Sequence, residues 1–188
     1  MGVLADRYGL TDRTVREFEL GLMERQSGPW VTIPVRDGQG KLINVKSRYI
    51  GRSPKINDAI KYLNWRGHGA AALYPAHRLP PPGSRVLIVC GMFDAIVGRQ
   101  YGWDTVTSTA GVNVPWPPDW EDIAEHWDVT VLFDRGEEPW ADRLAAQLGC
   151  RAVHLPAGLP PGTDLADMFT QHGWARWDLI GLLDWEEP

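Results

Sequence analysis

Acidic residues stand where a buried strand gives way to a helix at two places in this chain. The first is Arg85-Val-Leu-Ile-Val-Cys-Gly-Met-Phe-Asp-Ala-Ile96, where a continuous apolar run reaches a small-residue turn at Cys90 and Gly91 and then Asp94. The second is Val129-Thr-Val-Leu-Phe-Asp134, followed by the helix-forming stretch from Glu137 to Leu148. Runs of this kind, apolar on both faces, belong to parallel strands covered by helices. Ligands and cations bind such sheets just outside the carboxyl ends of the strands. Asp94 and Asp134 therefore mark a candidate site, with Cys90 beside it.

The elements that would position those acids follow from the pattern. Pro80-Pro-Pro-Gly83 is a stiff connector and the expected boundary between a region 1–83 and a region 84–188. After it, strands are expected at Val86, at Thr105-Val-Thr-Ser108, at Val129 and at Arg151-Ala-Val-His-Leu155. They alternate with helices over 93–101, 119–127, 137–148, 164–172 and 175–183. Before the connector, Leu10 to Leu20 reads as a short helix capped by Thr11 or Asp12, with Val15, Phe18 and Leu22 at helical spacing. Residues 29–36 and 41–48 alternate as two strands around the turn Asp37-Gly-Gln-Gly40, and 52–76 reads as irregular.

Charge divides the chain at the same place. Residues 1–88 carry 14 Lys and Arg against 7 Asp and Glu, whereas residues 89–188 carry 5 against 17. A basic half suits a phosphate backbone and an acidic half suits divalent cations, although both patterns also describe ordinary solvated surfaces. Two cysteines, Cys90 and Cys150, exclude a four-thiolate zinc site within one chain and imply no disulfide framework. No run of about 18 apolar residues occurs, and no signal-peptide core opens the chain, so a cytoplasmic protein without a membrane partner is expected. Ten tryptophans, eight of them after residue 100, are many for one small core. Trp116, Trp120, Trp127, Trp174, Trp177 and Trp185 either cover a patch for a partner or plug the rims of the Pro-rich loops.

The order of these segments resembles the Toprim domain of DnaG-type bacterial and phage DNA primases. The family's Val-Glu-Gly-x-x-Asp is matched by Val89-Cys90-Gly91-Met92-Phe93-Asp94, and its Asp-x-Asp-x-x-Gly by Asp134-Arg135-Gly136-Glu137-Glu138-Pro139. Its Lys-Asp-Pro-x-Asp is matched loosely by Thr163-Asp164-Leu165-Ala166-Asp167. In the amino half, Gly9-Leu-Thr-Asp-Arg-Thr-Val-Arg-Glu-Phe18, Ile33-Pro-Val-Arg-Asp-Gly-Gln-Gly40, Ser47-Arg48, Lys61-Tyr-Leu-Asn64 and Leu73-Tyr74 are similar to the segments that precede the domain in primases. The resemblance covers about residues 9–170 and implies an α/β fold. Its parts are a Toprim-like, parallel-rich sheet with helices on both faces and a small α+β region before it.

The resemblance also implies a chemistry. Primases join nucleotides with Mg²⁺ or Mn²⁺ held by carboxylates, and Asp94 and Asp134 are the implied catalytic positions. Asp164 is an implied metal ligand, and Glu137 and Glu138 are either substitutes for the missing carboxylates or acids that complement the dipole of the following helix. Cys90 stands where the family has Glu, and Gly136 where it has its second Asp. A thiol is a soft, usually protonated ligand that suits Mg²⁺ poorly. Lys46, Arg48, Lys61 and Asn64 are implied to hold single-stranded DNA or nucleotides. The family's later Lys before Leu-Tyr is absent, Gly69-Ala-Ala-Ala72 filling its place. Tyr62, Trp65 and His68 either stack on bases or pack within the protein. Expected partners are single-stranded DNA or nucleotides and a replication protein such as a helicase. Three readings stay open: a phage or mobile-element primase-like protein with weakened catalysis, an active primase with a remodelled acidic site, and a non-catalytic interaction module.

Overall fold

The computed structural model describes residues 4–5, 8–51, 62–66, 71–112, 114, 116 and 123–185. Lys61, His68, Trp120 and the first part of the helix expected at 119–127 lie outside the described residues. The amino part opens with α1 (Asp12–Glu17), capped by the Thr11 hydroxyl, which accepts from the Thr14 N–H at 3.1 Å. A four-stranded antiparallel sheet follows in the order β1-β2-β3-β4: β1 (Gly21–Arg25), β2 (Gly28–Arg36), β3 (Leu42–Tyr49) and β4 (Tyr62–Asn64). The turn between β2 and β3 is built by Asp37, whose Oδ1 accepts from Gln39 N at 3.0 Å and Lys41 N at 2.9 Å. That is the local bonding for which Asp is favoured in turns.

Two expectations in this part need correction. Leu22 is not on the apolar face of the first helix; it lies in β1 and is 66% exposed. Nor is 52–76 wholly irregular, because β4 and β5 (Leu73–Tyr74) fall within it. Strands of two and three residues leave no periodicity to read.

The second sheet has the order β5-β7-β6-β8-β9, with β6 (Arg85–Val89), β7 (Thr105–Ser108), β8 (Asp128–Phe133) and β9 (Arg151–His154). Strands β7, β6, β8 and β9 run parallel, and β5 pairs antiparallel with β7 at the edge. This sheet thus takes its edge strand from the amino side of Pro80–Gly83. The helices are α2 (Met92–Gln100), α3 (Ile123–His126), α4 (Glu138–Leu148), α5 (Leu165–Thr170) and α6 (Arg176–Leu183). No helix among the described residues is long and apolar enough to cross a membrane.

Alternation along the strands divides the core into two layers. Leu87, Val89 and Leu132 join one cluster with Phe93 and Ile96 of α2, and with Val31, Ile33 and Val35 of β2. Val86, Ile88, Val129, Val131 and Phe133 join the other, with Ala141, Leu144 and Leu148 of α4. Helices therefore cover both faces, and the amino sheet packs on the α2 side.

Close contact of α2 with β7 depends on Gly98, where an added Cβ would lie 2.4 Å from Thr105 Cγ2. The Thr105 hydroxyl donates to Ala95 O at 2.6 Å in the same seam. Gly98→Ala is expected to destabilise the protein by about 1–3 kcal/mol through overpacking. Urea titration would show a lower midpoint at unchanged slope; an unchanged midpoint would refute the tight seam.

Candidate functional site

Strands β6 and β8 are parallel neighbours, with Val86 opposite Val129 and Val89 opposite Leu132. Their carboxyl ends deliver Cys90 and Asp134 side by side. Burial raises the Cys90 thiol pKa, with the Asp134 and Asp94 carboxylates and a side-chain hydrogen bond to Asp134 acting in the same direction. At neutral pH Cys90 is thus a protonated thiol that donates to Asp134. The Cys90 carbonyl is held by the Thr107 hydroxyl at 3.0 Å, which fixes the turn against β7.

Asp94 lies in the first turn of α2 and is 4% exposed. It does not cap its own helix. Its Oδ1 instead accepts from the Ala166 N–H of α5 at 3.1 Å. Its Oδ2 fills the space a side chain at Gly91 would need, 2.7 Å from a Cβ built there. The Asp94 pKa is raised by burial first and then by Asp164 and Asp134, against the pull of the Ala166 N–H and the Arg48 guanidinium. Asp164 and Asp134, both named from the sequence, therefore act on Asp94 across the strand ends.

Asp164 is the N-cap of α5. Its Oδ1 accepts from Asp167 N at 2.7 Å, and the Asp167 carboxylate accepts from Asp164 N at 3.4 Å, a reciprocal capping box. The loop carrying Asp134 is stitched to the loop before Asp164, since Arg135 N donates to Thr163 O at 2.9 Å and Gly162 N to Arg135 O at 2.6 Å. Glu138 is engaged locally with the Arg135 guanidinium and with Gly136 N. Glu137 caps α4 with its backbone, without a side-chain capping bond. Gly136 has φ +95°, a conformation in which any side chain is strained.

The amino sheet supplies the opposing wall. Asn44, Lys46 and Arg48 stand opposite Val35, Ile33 and Val31 of β2, on the face turned into the molecule. Lys46 Nζ donates to Thr109 O, just past the end of β7, at 2.6 Å. Burial lowers the Lys46 pKa. Arg48 Nη1 donates to Tyr62 Oη at 2.6 Å, and its guanidinium lies 5.5, 5.0 and 5.1 Å from the ring centroids of Tyr8, Tyr62 and Phe93. Burial pushes the Tyr62 phenol up to about 12 despite that cation. Asn64 Oδ1 accepts from Asn44 Nδ2 at 3.2 Å, and Trp65, next along the chain, is 61% exposed. Lys46, Arg48 and Asn64 thus share one face, and Tyr62 packs within the protein rather than standing free for a base.

Several contributors escaped the sequence reading. Thr107, the Thr109 carbonyl and Tyr8 each hold a site residue in place. The alternating threonines of Thr105-Val-Thr-Ser108 were the available signal for one of them, because hydroxyls in a buried strand need acceptors.

At the positions that the resemblance implies for a cation stand a protonated thiol, Cys90, and a residue without a side chain, Gly136, and one carboxylate oxygen of Asp94 accepts from Ala166 N–H. Among the described residues, no group of three or more His, Cys, Asp or Glu is arranged to hold a metal.

The Aquifex aeolicus primase (zinc-binding and RNA polymerase domains) matches with a TM-score of 0.70 at 17% identity, over 97% of this chain and 55% of that one. The RNA polymerase domain of Mycobacterium tuberculosis primase DnaG, in complex with a double-stranded DNA oligomer with a 6-nucleotide overhang, matches at 0.71 and 14%, over 98% and 72%. The primase fragment of the bacteriophage T7 primase-helicase protein matches at 0.64 and 15%, over 95% and 72%. The chain spans just over half the length of the Aquifex protein. No family model matches the chain, and no curated protein matches it in sequence. The fold is that of the catalytic core of DnaG-type primases.

Proposed function

We propose that this chain is a primase-like protein of DNA replication, from a phage or mobile element, whose metal-dependent catalysis is weakened or lost. It binds single-stranded DNA or a nucleotide between the amino sheet and the strand ends at Cys90 and Asp134. The observation that carries this reading is the facing of the two walls: Lys46 reaches Thr109 at the end of β7, and Arg48 offsets Asp94. Lys46 keeps further donors beyond the one given to Thr109. Trp65 and Arg66 extend the wall outward, with exposed surface for a base and a phosphate. A structure of a DnaG primase catalytic domain bound to single-stranded DNA shares this fold, with a TM-score of 0.65 at 17% identity, which makes single-stranded DNA the first ligand to try.

Binding to a labelled single strand is expected to weaken with salt in proportion to the phosphates neutralised. Lys61→Ala should lower the salt slope by about 1. Trp65→Ala should cost about 1–3 kcal/mol through lost stacking. Absence of binding at low salt would leave the interaction-module reading, for which a helicase or another replication protein is the partner to test.

An active enzyme is the second reading, favoured by the influence of Asp134 and Asp164 on Asp94. Here Mn²⁺ or Mg²⁺ would be held by those acids with Glu137 in support. Primer synthesis by the native chain, lost in Asp134→Ala, would establish it. Restoring the family's carboxylate by Cys90→Glu is expected to let Mn²⁺ raise the melting temperature where it has little effect on the native chain. Adding Gly136→Asp should subtract about 1–2 kcal/mol of stability, because residue 136 has positive φ. A Cys90→Glu variant as indifferent to Mn²⁺ as the native chain would show that the acids are not the remnant of a cation site.

A further inference from the structure

A cavity of about 190 Å³ opens at the carboxyl ends of β6, β7 and β8, on the side covered by α4. None of Asp94, Asp134 and Asp164 lines it. Asp94 and Ala166 lie on the α2 and α5 side of the sheet, whereas Phe133, Leu144 and Trp116 of the lining belong to the α4 layer, and Val89 and Thr107 border it at the strand ends. Its walls are Val89, Phe133, Leu144 and the indoles of Trp116 and Trp140, with Arg143 at the rim.

Three features point to what it takes. Val114 and Trp140 line it while 46% and 38% exposed, so large apolar surface is left open at its mouth. Arg143 lies 5.9 Å over the Trp140 ring and makes no hydrogen bond or ion pair among the described residues. Acids outnumber bases 17 to 5 in residues 89–188, yet Arg143 pairs with none of the described ones, its neighbour Asp142 being engaged with His154. Finally, the volume is below the roughly 300–1,000 Å³ of pockets that enclose whole drug-sized ligands. One flat ring system fits inside, and a charged substituent must remain at the rim.

We infer that this cavity is a second ligand site, which takes the base of a mononucleotide between the indoles and meets its phosphate with Arg143. Aromatic walls favour a flat π-system, and a guanidinium favours a phosphate through paired, charge-assisted hydrogen bonds. The inference does not rest on the primase reading, because none of the acids or the amino-sheet residues takes part in it.

The test is calorimetry or ligand-observed NMR on the full chain with AMP, adenosine and ribose 5-phosphate. AMP should bind, adenosine about tenfold more weakly, and ribose 5-phosphate not measurably. Arg143→Gln should bring AMP down to the level of adenosine and leave adenosine unchanged, and Trp140→Ala should weaken both. Both side chains lie at the surface, and unchanged circular dichroism would confirm that the variants fold. Asp94→Asn should leave all three ligands unaffected, which separates this site from the strand-end acids. No AMP binding, binding indifferent to both rim variants, or binding lost in Asp94→Asn would each overturn the assignment. Single-stranded DNA binding that survives Arg143→Gln would keep the proposed function standing whatever AMP does.

Discussion

Asp94→Asn is expected to make the protein more stable at neutral pH, not less. Asparagine keeps an acceptor for the Ala166 N–H, now met at 3.1 Å, and has the same shape as the carboxyl it replaces. What it removes is a charge in a 4% exposed position, raised in pKa by burial and by Asp164 and Asp134. A carboxyl whose folded pKa exceeds its unfolded value binds more protons in the native state between the two. Stability therefore falls as pH rises through that window, and the full penalty is present above it. The variant escapes the penalty, so the two proteins should melt together in acid below the unfolded pKa and separate as pH rises. An incompletely satisfied buried polar group costs on the order of 1–3 kcal/mol, more when charged. For a chain of this size that is roughly 2–4 °C in melting temperature for each kcal/mol. A variant that melts below the native chain at neutral pH would mean that Asp94 is paired better than its neighbours indicate. Retention of such a costly group is what a binding site, unlike a purely structural position, would show.

That site was legible only in part from the chain alone. Cys90, Asp94 and Asp134 could be placed because β6 and β8 end in apolar runs, Val86–Val89 and Val131–Phe133, that stop abruptly at a small-residue turn and at an acid. The strand Thr105–Ser108 could be read for its β-branched residues, and α4 for its length. The role of Asp94 could not be read. As an acid in a first helical turn it looks like a cap, and its partner Ala166 lies 72 residues away on a backbone N–H that no side-chain pattern reports. Lys46 and Arg48 were named from the resemblance, but their burial could not be read. Alternation correctly put them on one strand face, but polarity suggested solvent, whereas the register with Val31 and Ile33 turns that face inward. A buried row of polar residues breaks the rule that sequence patterns rest on, and such breaks collect where function constrains the fold. Trp116 and Trp177 show the same limit, since both were candidates for a patch, yet one is 7% and the other 62% exposed.

Arg48→Ala is expected to be the most damaging single change in the site, and its stability effect should exceed its effect on any ligand. The guanidinium lies against Tyr8, Tyr62 and Phe93, donates to Tyr62 Oη, and its Nε finds no hydrogen-bond partner among the described residues. It therefore joins three segments of the chain through ring faces and a single phenol acceptor. A desolvated cation–π contact is worth about 2 kcal/mol or more, and removing one member of a buried charged set costs about 3–5 kcal/mol. Arg48→Lys should keep the charge and still lose roughly half of that stability, because an ammonium cannot lie flat between rings. Were Arg48 chiefly a phosphate ligand, Lys would preserve folding and affect DNA affinity alone, and denaturant titration of the two variants separates the cases. The double variant with Asp94→Asn adds a second discriminator. Arg48 offsets the Asp94 charge, so once that charge is gone part of the arginine's contribution goes with it. The loss from Arg48→Ala should then be smaller in the Asn background, by about 0.5–3 kcal/mol. Additivity within about 0.5 kcal/mol would show that the cation and the buried acid do not sense each other, and the link between the amino sheet and the strand ends would be packing alone.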